Sequence, residues 1–335
     1  MLAGGIAVLV LAGFFQGTYG LGMKKYEPFS WEAMWAVFSI VGMVVTPCVW
    51  ASITVPGFFQ YIAAAPAQTI LMAAFCGFFW GVSAIGFGKA IDYIGISLTN
   101  GIAYGVSCIV GALVPLFLSS KVPSSAYITG LVIGIVLLVI GLVLFTKAGL
   151  LRDAQGANTE KGRDPRFKTG LILAFVSGLG GAAQNIGFTY AGVTSQLAVA
   201  NGVSATNAAV IPWIVVVSMG GFIANIGYAL VLLAKNKNFH NYTDKGCGIG
   251  YAKSALTGIA WYAALGVYGI ATVLLGGFGP VVGWIGFNAL GLIIANAWGL
   301  KDGEWDGFEK AKKFLLSADA ILVVSLVILG ISNTL

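Results

Sequence analysis

The sequence predicts an all-α integral membrane protein with ten transmembrane helices, arranged as two inverted five-helix repeats. Charged residues make up only 9% of the chain and hydrophobic residues 58%, and the mean hydropathy is +0.92. Soluble domains carry about 25% charged residues. Apolar runs of about 20 residues recur from end to end, each long enough to cross a hydrocarbon core of roughly 30 Å. The runs are continuous and do not alternate, which argues against a β-barrel.

Ten such runs follow one another, mostly with short connections between them. The first lacks a basic leading region and a clear cleavage site, so it is interpreted as a membrane helix and not as a signal peptide. The longest polar connections are expected near 148–168, 235–253 and 301–314. The predicted segments are 2–22, 31–53, 67–88, 94–118, 125–146, 169–191, 206–233, 254–275, 280–299 and 316–334.

The distribution of basic residues predicts the orientation of the chain. Of the 18 lysines and arginines, all but Lys121 follow odd-numbered segments. Cytoplasmic connections of membrane proteins carry an excess of these residues, so the odd connections are predicted to be cytoplasmic and both termini outside. The net charge of +6 therefore reflects membrane topology, and a nucleic-acid partner is not expected.

A long basic connection divides the chain into two halves of five segments. The first repeat is predicted at 1–147, a cytoplasmic linker loop at 148–168, and the second repeat at 169–335. An odd number of segments per half makes the second half enter the membrane in the opposite sense, as in many secondary transporters. Two local similarities support the repeat. Gly-Phe-Phe-Gln ending at Gln16 matches Gly-Ala-Ala-Gln ending at Gln184, and Trp80 has a counterpart in Trp261.

The stretch Trp80–Pro115 is predicted to be the centre of the fold. Two apolar runs meet there across a charged turn, expected at Lys89–Asp92. The second run carries Asn100, Tyr104 and Ser107, which share one face of a helix. Buried polar groups are costly in a bilayer, so a polar stripe on one face predicts a lined cavity.

Neutral amides beside aromatic rings are the remaining chemistry at membrane depth. Amides both donate and accept hydrogen bonds, and with flat aromatic faces they suit a neutral polyhydroxylated solute such as a sugar. The amides and Tyr104 are expected to contact hydroxyls and the tryptophans to stack. The alternative is that these residues hold helices together or lie in interfacial belts. The predicted substrate-binding residues are Gln16, Trp80, Asn100, Tyr104, Gln184, Trp261, Trp284 and Asn288.

Acidic residues are few, and Glu32, Asp92 and Asp319 are all predicted near segment ends. Proton or sodium coupling normally uses a buried carboxylate. Glu32 or Asp92 is the candidate titrating group if transport is coupled. Lys89 and Asp92 are interpreted either as an ion pair that seals an inner gate or as a plain interfacial pair.

Soluble-enzyme chemistry is not expected. The single histidine, His240, lies in a polar connection, and the chain has no Walker-type phosphate loop. Three of the four cysteines fall inside apolar runs, where they behave as small hydrophobic residues. No metal site, cofactor or enzymatic activity is predicted.

Several passages resemble the bacterial L-rhamnose–proton symporters. Lys24–Tyr26 followed by Phe29–Trp35 is similar to the opening of that family. The resemblance implies the ten-helix fold of the drug/metabolite transporter superfamily, with a central path between the halves, and uptake of a deoxyhexose driven by the proton gradient. Further similar passages are Phe79–Gly81, Gly86–Gly88, Tyr93–Ser97, Gly101–Ala103, Gly111–Pro115, Thr146–Gly149, Gly220–Gly221, Asn225, Gly227 and Leu233–Lys235.

These observations together predict a secondary active transporter that takes up a sugar, L-rhamnose with a proton, by alternating access in the bacterial inner membrane. Its expected partners are the sugar, protons and the lipid bilayer, and a homodimer is left open. One alternative is an exporter or uncoupled carrier of other small metabolites in the same superfamily. The other is a membrane sensor that transports nothing.

Overall fold

The computed structural model describes residues 2–119, 121–155 and 166–334, which contain ten helices long and apolar enough to span a membrane. Each coincides with one predicted segment, so the all-helical class and the ten transmembrane helices are confirmed. No strand occurs within the described ranges. The helices are α1 Ala3–Met23, α2 Trp31–Thr54, α3 Ala67–Ile94, α4 Ile96–Leu118, α5 Ser125–Ala154, α6 Phe167–Ala200, α7 Ala205–Asn236, α8 Cys247–Leu275, α9 Gly279–Lys301 and α10 Glu309–Ser332.

The predicted charged turn at Lys89–Asp92 is wrong. Helix α3 continues through these residues to Ile94, and the chain turns at Gly95, whose φ of +83° is a conformation that glycine adopts without a steric penalty. Nothing between Lys89 and Ile94 breaks a helix, so α3 ends only where glycine allows the reversal.

Several helices extend beyond their predicted apolar segments. Helix α8 begins at Cys247 instead of 254, and α10 begins at Glu309 instead of 316. Hydropathy detects the part of a helix that lies in hydrocarbon, whereas polar residues at the ends continue the same helix into the interface. As a consequence Asp319 lies near the middle of α10, although it is close to the start of the predicted apolar segment at 316, and its place near a membrane-segment end stays a prediction.

Glycine contacts define which helices pack closely. Helices α3 and α6 are antiparallel, with Gly180 against Ser83 and Gly170 against Ile94. Helices α1 and α8 form the equivalent antiparallel pair, in which Gly5 lies against Leu274. Small residues let helix backbones approach closely in lipid, where dispersion and not water expulsion holds helices together.

The remaining pairings follow the same pattern. Helix α6 runs parallel to α4, and α1 runs parallel to α9; α5 and α10 pack antiparallel to each other. Helices α2 and α7 each contain a π-helical stretch, Val41–Val45 and Ile214–Gly221. When every helix is replaced by the one five positions away, the α3–α6 and α1–α8 pairs exchange, and so do the α4–α6 and α1–α9 pairs and the two π-helical stretches. The α5–α10 pair maps onto itself. The pattern supports the inverted repeat, which stays a prediction.

The predicted division at 148–168 is only partly within the described chain. Residues 148–154 belong to α5 and 167–168 to α6, while 156–165 lie outside the described residues. The basic residues Lys161 and Arg163 are among the latter. The repeat boundaries at 147 and 169 therefore remain predictions.

Connections after odd-numbered helices meet at one end of the molecule, which we call the basic face. Lys24, after α1, contacts Glu304 at 3.3 Å and Asp302 at 3.4 Å, both in the connection after α9. Hydrogen bonds to these carboxylates, Glu304 first, raise the pKa of the Lys24 ammonium. Lys121 lies at the opposite end, beside Gly277 in the α8–α9 connection.

Candidate substrate cavity

A cavity of about 500 Å³ lies between the helices. Every helix except α5 and α10 contributes to its wall. Small-molecule sites occupy roughly 300–1,000 Å³ and combine apolar walls with a few polar groups. The volume is therefore that of a site for one small solute.

Seven of the eight residues predicted to bind substrate line this one cavity, which brings together side chains from α1, α3, α4, α6, α8 and α9. Asn100 does not. On α4 the lining residues are Ala103, Tyr104 and Ser107, so the cavity ends about one turn short of Asn100. The seven lining residues are Gln16, Trp80, Tyr104, Gln184, Trp261, Trp284 and Asn288.

Two amides in the cavity have unmatched polar atoms. Gln16 Oε1 and Gln184 Nε2 are both buried and have no hydrogen-bond partner. One is an acceptor without a donor and the other a donor without an acceptor. A buried polar atom left unpaired costs about 1–3 kcal/mol. A hydroxyl group both donates and accepts, so bound hydroxyls can satisfy both atoms.

An aromatic wall follows one side of the cavity. Trp31 stacks on Trp35 with ring centroids 5.1 Å apart, and Trp35 stacks on Phe38 at 4.7 Å. Phe38 contacts Trp261, which stacks on Trp80 at 5.5 Å with an interplanar angle of 12°. The Trp35 indole donates to Asn225 Oδ1 at 3.0 Å, which fixes its plane. We call these five rings the aromatic ladder.

Trp284 and Asn288 form the inner end of the cavity. The Trp284 indole donates to Ser107 O at 3.1 Å, and Trp284 is only 2% exposed. Asn288 Nδ2 donates to Trp284 O at 2.8 Å. Because its N–H is committed to the α4 backbone, Trp284 offers the cavity an apolar surface and not a donor.

The cavity extends toward the basic face. Its lining there includes Met23, Gly88, Ile91 and Tyr228, which lie toward the ends of α1, α3 and α7. Trp31, at the beginning of α2, lines the same side and is 41% exposed. The cavity therefore approaches the face on which Lys24 and Lys89 lie.

A buried hydrogen-bond cluster closes the opposite side. Asn185, on α6, donates through Nδ2 to Gly111 O of α4 at 2.8 Å and to Pro280 O of α9 at 2.9 Å. Its Oδ1 accepts from the hydroxyl of Tyr268, on α8, at 2.6 Å. Four helices are joined in this way. We call Asn185, Tyr268 and the two carbonyls the latch.

Sequence reasoning did not assign the latch. Asn185 follows Gln184 directly, and the pattern of residue types does not separate an amide that faces a cavity from one that faces a backbone carbonyl. Tyr268 stands in an apolar run without other polar residues beside it. The small and apolar residues on either side of Tyr268 do not indicate that its hydroxyl forms a hydrogen bond between helices.

The predicted gate residues are dispersed. Glu32 is buried at the start of α2, where its Oε1 accepts from Asn236 at 2.9 Å and from Asn238 at 2.7 Å. Lys89 and Asp92 are both exposed at the end of α3. They do not form an ion pair in the part of the chain that the structure describes. The interfacial interpretation fits their position better.

The remaining reactive groups lie apart from the cavity. His240 is exposed and its Nδ1 lies 2.9 Å from Asp244 Oδ2, and the hydrogen bond lowers the pKa of the Asp244 carboxyl. The four cysteines are free thiols. The described ranges contain no group of three acidic, histidine or cysteine side chains that would hold a metal ion.

The fold and the site define a multi-pass membrane carrier: ten spanning helices around a central cavity that is closed on one side and approaches the surface on the other. Comparison with known proteins agrees. The chain belongs to the family of the L-rhamnose-proton symport protein (RhaT), whose sequence model matches residues 3–333. It is a secondary transporter, not an enzyme.

Named relatives cover nearly the whole chain. An L-rhamnose-proton symporter of Klebsiella pneumoniae is 28% identical over 313 residues, which is 90% of this chain and 89% of the relative. One from Escherichia coli is 26% identical over 325 residues, 92% of each chain. The predicted membership of the L-rhamnose–proton symporter family is therefore confirmed.

Proposed function

We propose that this protein takes up L-rhamnose together with a proton. The observation that carries the proposal is the pair of unmatched amides, Gln16 Oε1 and Gln184 Nε2, in a cavity of about 500 Å³ within the fold of this family. A deoxyhexose presents several hydroxyls for such amides, and its methyl group and ring carbons suit the aromatic ladder.

The transport cycle is alternating access. In the conformation described, the cavity approaches the basic face and the latch holds the opposite side closed. Binding sugar between the two halves and breaking the latch exposes the site on the other side. If the basic face is cytoplasmic, as the distribution of lysine and arginine predicts, this conformation faces inward and both termini lie outside.

Two roles of the sequence prediction enter this proposal. Gln16, Tyr104, Gln184 and Asn288 contact sugar hydroxyls, and Trp80 and Trp261 pack against its ring. Asn100 lies outside the cavity wall and is left with a role between helices.

Location in a bacterial inner membrane follows from the relatives.

Binding tests the substrate assignment directly. The cavity holds five of the nine tryptophans, so L-rhamnose should quench intrinsic fluorescence of the purified protein in a saturable way. L-Mannose, which differs by one added hydroxyl at C6, is the matched sugar control, and glycerol is the polyol control. Saturable quenching by L-rhamnose alone supports the proposal. Equal responses to all three, or none, would contradict L-rhamnose as the substrate.

A further inference from the structure

The cavity wall contains no carboxylate among the described residues, although proton coupling requires a group that binds and releases a proton. Glu32 and Asp92 lie at the ends of their helices, as do Asp153 and Glu309. Asp319 is different, because it lies ten residues into α10, about 15 Å along the helix axis. Among the described acidic residues it alone occupies the middle of a membrane helix.

We propose that Asp319 is the carboxylate that carries the coupled proton, an inference that rests on the proposed symport. Asp319 is partly buried between α10 and its neighbours, and its Oδ1 accepts from Asn296 Nδ2 of α9 at 2.8 Å. Asn296 is 7% exposed. A charged side chain within the apolar part of a membrane helix is costly, and intramembrane carboxylates mark proton pathways.

No cation offsets the charge of Asp319 within the described chain. The helices packed against α10 are chiefly α5 and α9. On α5 the nearest charge along the packed surface is Lys147, whose Nζ lies 4.3 Å from the Phe314 ring, more than one turn closer to the basic face than Asp319. The other titratable groups on these three helices are Tyr127, Arg152, Asp153, Lys301, Glu309, Lys310, Lys312 and Lys313. None of them pairs with Asp319.

Helix α9 links Asp319 to the substrate cavity. This helix carries Asn296, which holds Asp319, and also Trp284 and Asn288, which line the cavity. Pro280, whose carbonyl is part of the latch, begins the same helix. The ionised carboxylate only accepts from Asn296, whereas the acid also has a proton to donate. Protonation therefore changes the α9–α10 contact on the helix that joins cavity and latch.

The step itself is a reversible protonation. The carboxylate takes one proton from one side of the membrane to form the neutral acid, and loses that proton to the other side after the conformational change. No other bond forms or breaks. One proton per cycle is then transferred with each sugar.

The substitution Asp319→Asn tests this, because the amide is isosteric, keeps a hydrogen-bonding partner for Asn296 and cannot titrate. A first readout needs no substrate: infrared difference spectra of the reconstituted protein across pH. Among the carbonyl bands of the protonated carboxyls, one should be present in the wild type, absent in Asp319→Asn and shifted in Asn296→Ala. Asp92→Asn, which removes an exposed acid, should leave it unchanged. Carbonyl bands in Asp319→Asn that match those of the wild type at every pH would overturn the proposal.

A second readout is transport. Asp319→Asn should lose accumulation of L-rhamnose driven by a proton gradient, by roughly tenfold for each unit of imposed pH difference. It should keep counterflow exchange within about twofold, since exchange needs no net proton transfer. Accumulation retained, or exchange and accumulation lost together, would overturn the proposal. If the wild type itself moves no L-rhamnose, the proposed function fails, and the infrared spectra still decide the role of Asp319.

Discussion

The hydroxyl of Tyr268 lies 2.6 Å from Asn185 Oδ1, and neither side chain is exposed. The side-chain nitrogen of Asn185 donates to backbone carbonyls of two other helices, so both of its amide protons are used. These contacts join α6 to α4, α8 and α9. Because the path cannot open on this side while they persist, the latch contributes to the free-energy difference between the two access states.

Replacing Tyr268 with Phe should weaken the latch. It leaves Asn185 Oδ1 buried without a donor, at a cost of about 1–3 kcal/mol, which corresponds to roughly a 5–150-fold shift toward the state open on that side. A cysteine at Ser107, beneath the latch, reports the opening. In a background without the four native cysteines, its labelling by a membrane-impermeant thiol reagent added on the Lys121 side should accelerate.

The matched control is Tyr262→Phe. The Tyr262 hydroxyl is also buried on α8, but it has no hydrogen-bond partner. Removing it deletes an unsatisfied group and should leave the Ser107→Cys labelling rate unchanged. Equal acceleration by both substitutions would show that the effect comes from loosened packing and not from the latch.

Substituting Gln16 or Gln184 with Leu should weaken sugar binding without destabilising the fold. Each orphaned atom has no protein partner to lose, so the change removes only a hydrogen bond to substrate, worth about 0.5–1.5 kcal/mol, or roughly 2–10-fold in Kd. Tryptophan quenching measures it. Ser218→Ala, which removes an orphaned hydroxyl outside the cavity wall, should leave Kd unchanged. Unchanged Kd in both glutamine variants would place the sugar elsewhere.

Gly77→Ala should reduce the stability of the fold, whereas Gly192→Ala should be tolerated. A Cβ at Gly77 would meet the backbone of Val216, where α3 and α7 touch, and a backbone carbonyl cannot move aside as a side chain can. A Cβ at Gly192 meets nothing within 4 Å, and alanine favours a helix over glycine by about 1 kcal/mol. The melting temperatures of the two variants and the wild type in detergent measure this difference. Equal melting temperatures would contradict the close approach of α3 and α7.

Alkaline pH should weaken the attachment of the α7–α8 connection to α2. Burial raises the pKa of Tyr242 to about 12, and its hydroxyl donates to Ala33 O at 3.3 Å. In the unfolded chain this tyrosine ionises at its ordinary pKa of about 10. Below that pH, its burial as the neutral form contributes fully to the free energy of unfolding. Its contribution is lost as the pH rises toward the folded value. Between these two pH values, the melting temperature should fall more steeply with pH in the wild type than in Tyr242→Phe. Parallel curves of melting temperature against pH would contradict this.

The helices and most of the cavity were predictable because both depend on the free-energy cost of placing polar groups in hydrocarbon. In hydrocarbon an unpaired polar group is expensive, so a polar residue on an apolar helix faces either the protein or a lined space. This reasoning identified the ten spans and placed Gln16, Gln184 and Asn288 in the same cavity. The charge distribution likewise indicated which connections gather at one face.

The rest depends on helix rotation and on contacts that a single sequence does not encode. Adjacent amides Gln184 and Asn185 point about 100° apart on a helix. Only the positions of the Gly111 and Pro280 carbonyls make Asn185 part of the latch, whereas Gln184 lines the cavity. Helix α10 begins at Glu309, seven residues before its predicted apolar segment. Hydropathy does not detect these two turns of polar helix, which continue into the interface.

The most direct test of the account is accumulation of labelled L-rhamnose in proteoliposomes, with and without an imposed inward proton gradient. One proton per sugar predicts about tenfold accumulation for each unit of pH difference, and collapse to equilibrium when a protonophore is added. The double variant Gln16→Leu, Gln184→Leu should reduce this uptake under the same gradient. Equilibration that ignores the gradient would contradict symport, and no uptake at all would contradict L-rhamnose as the substrate.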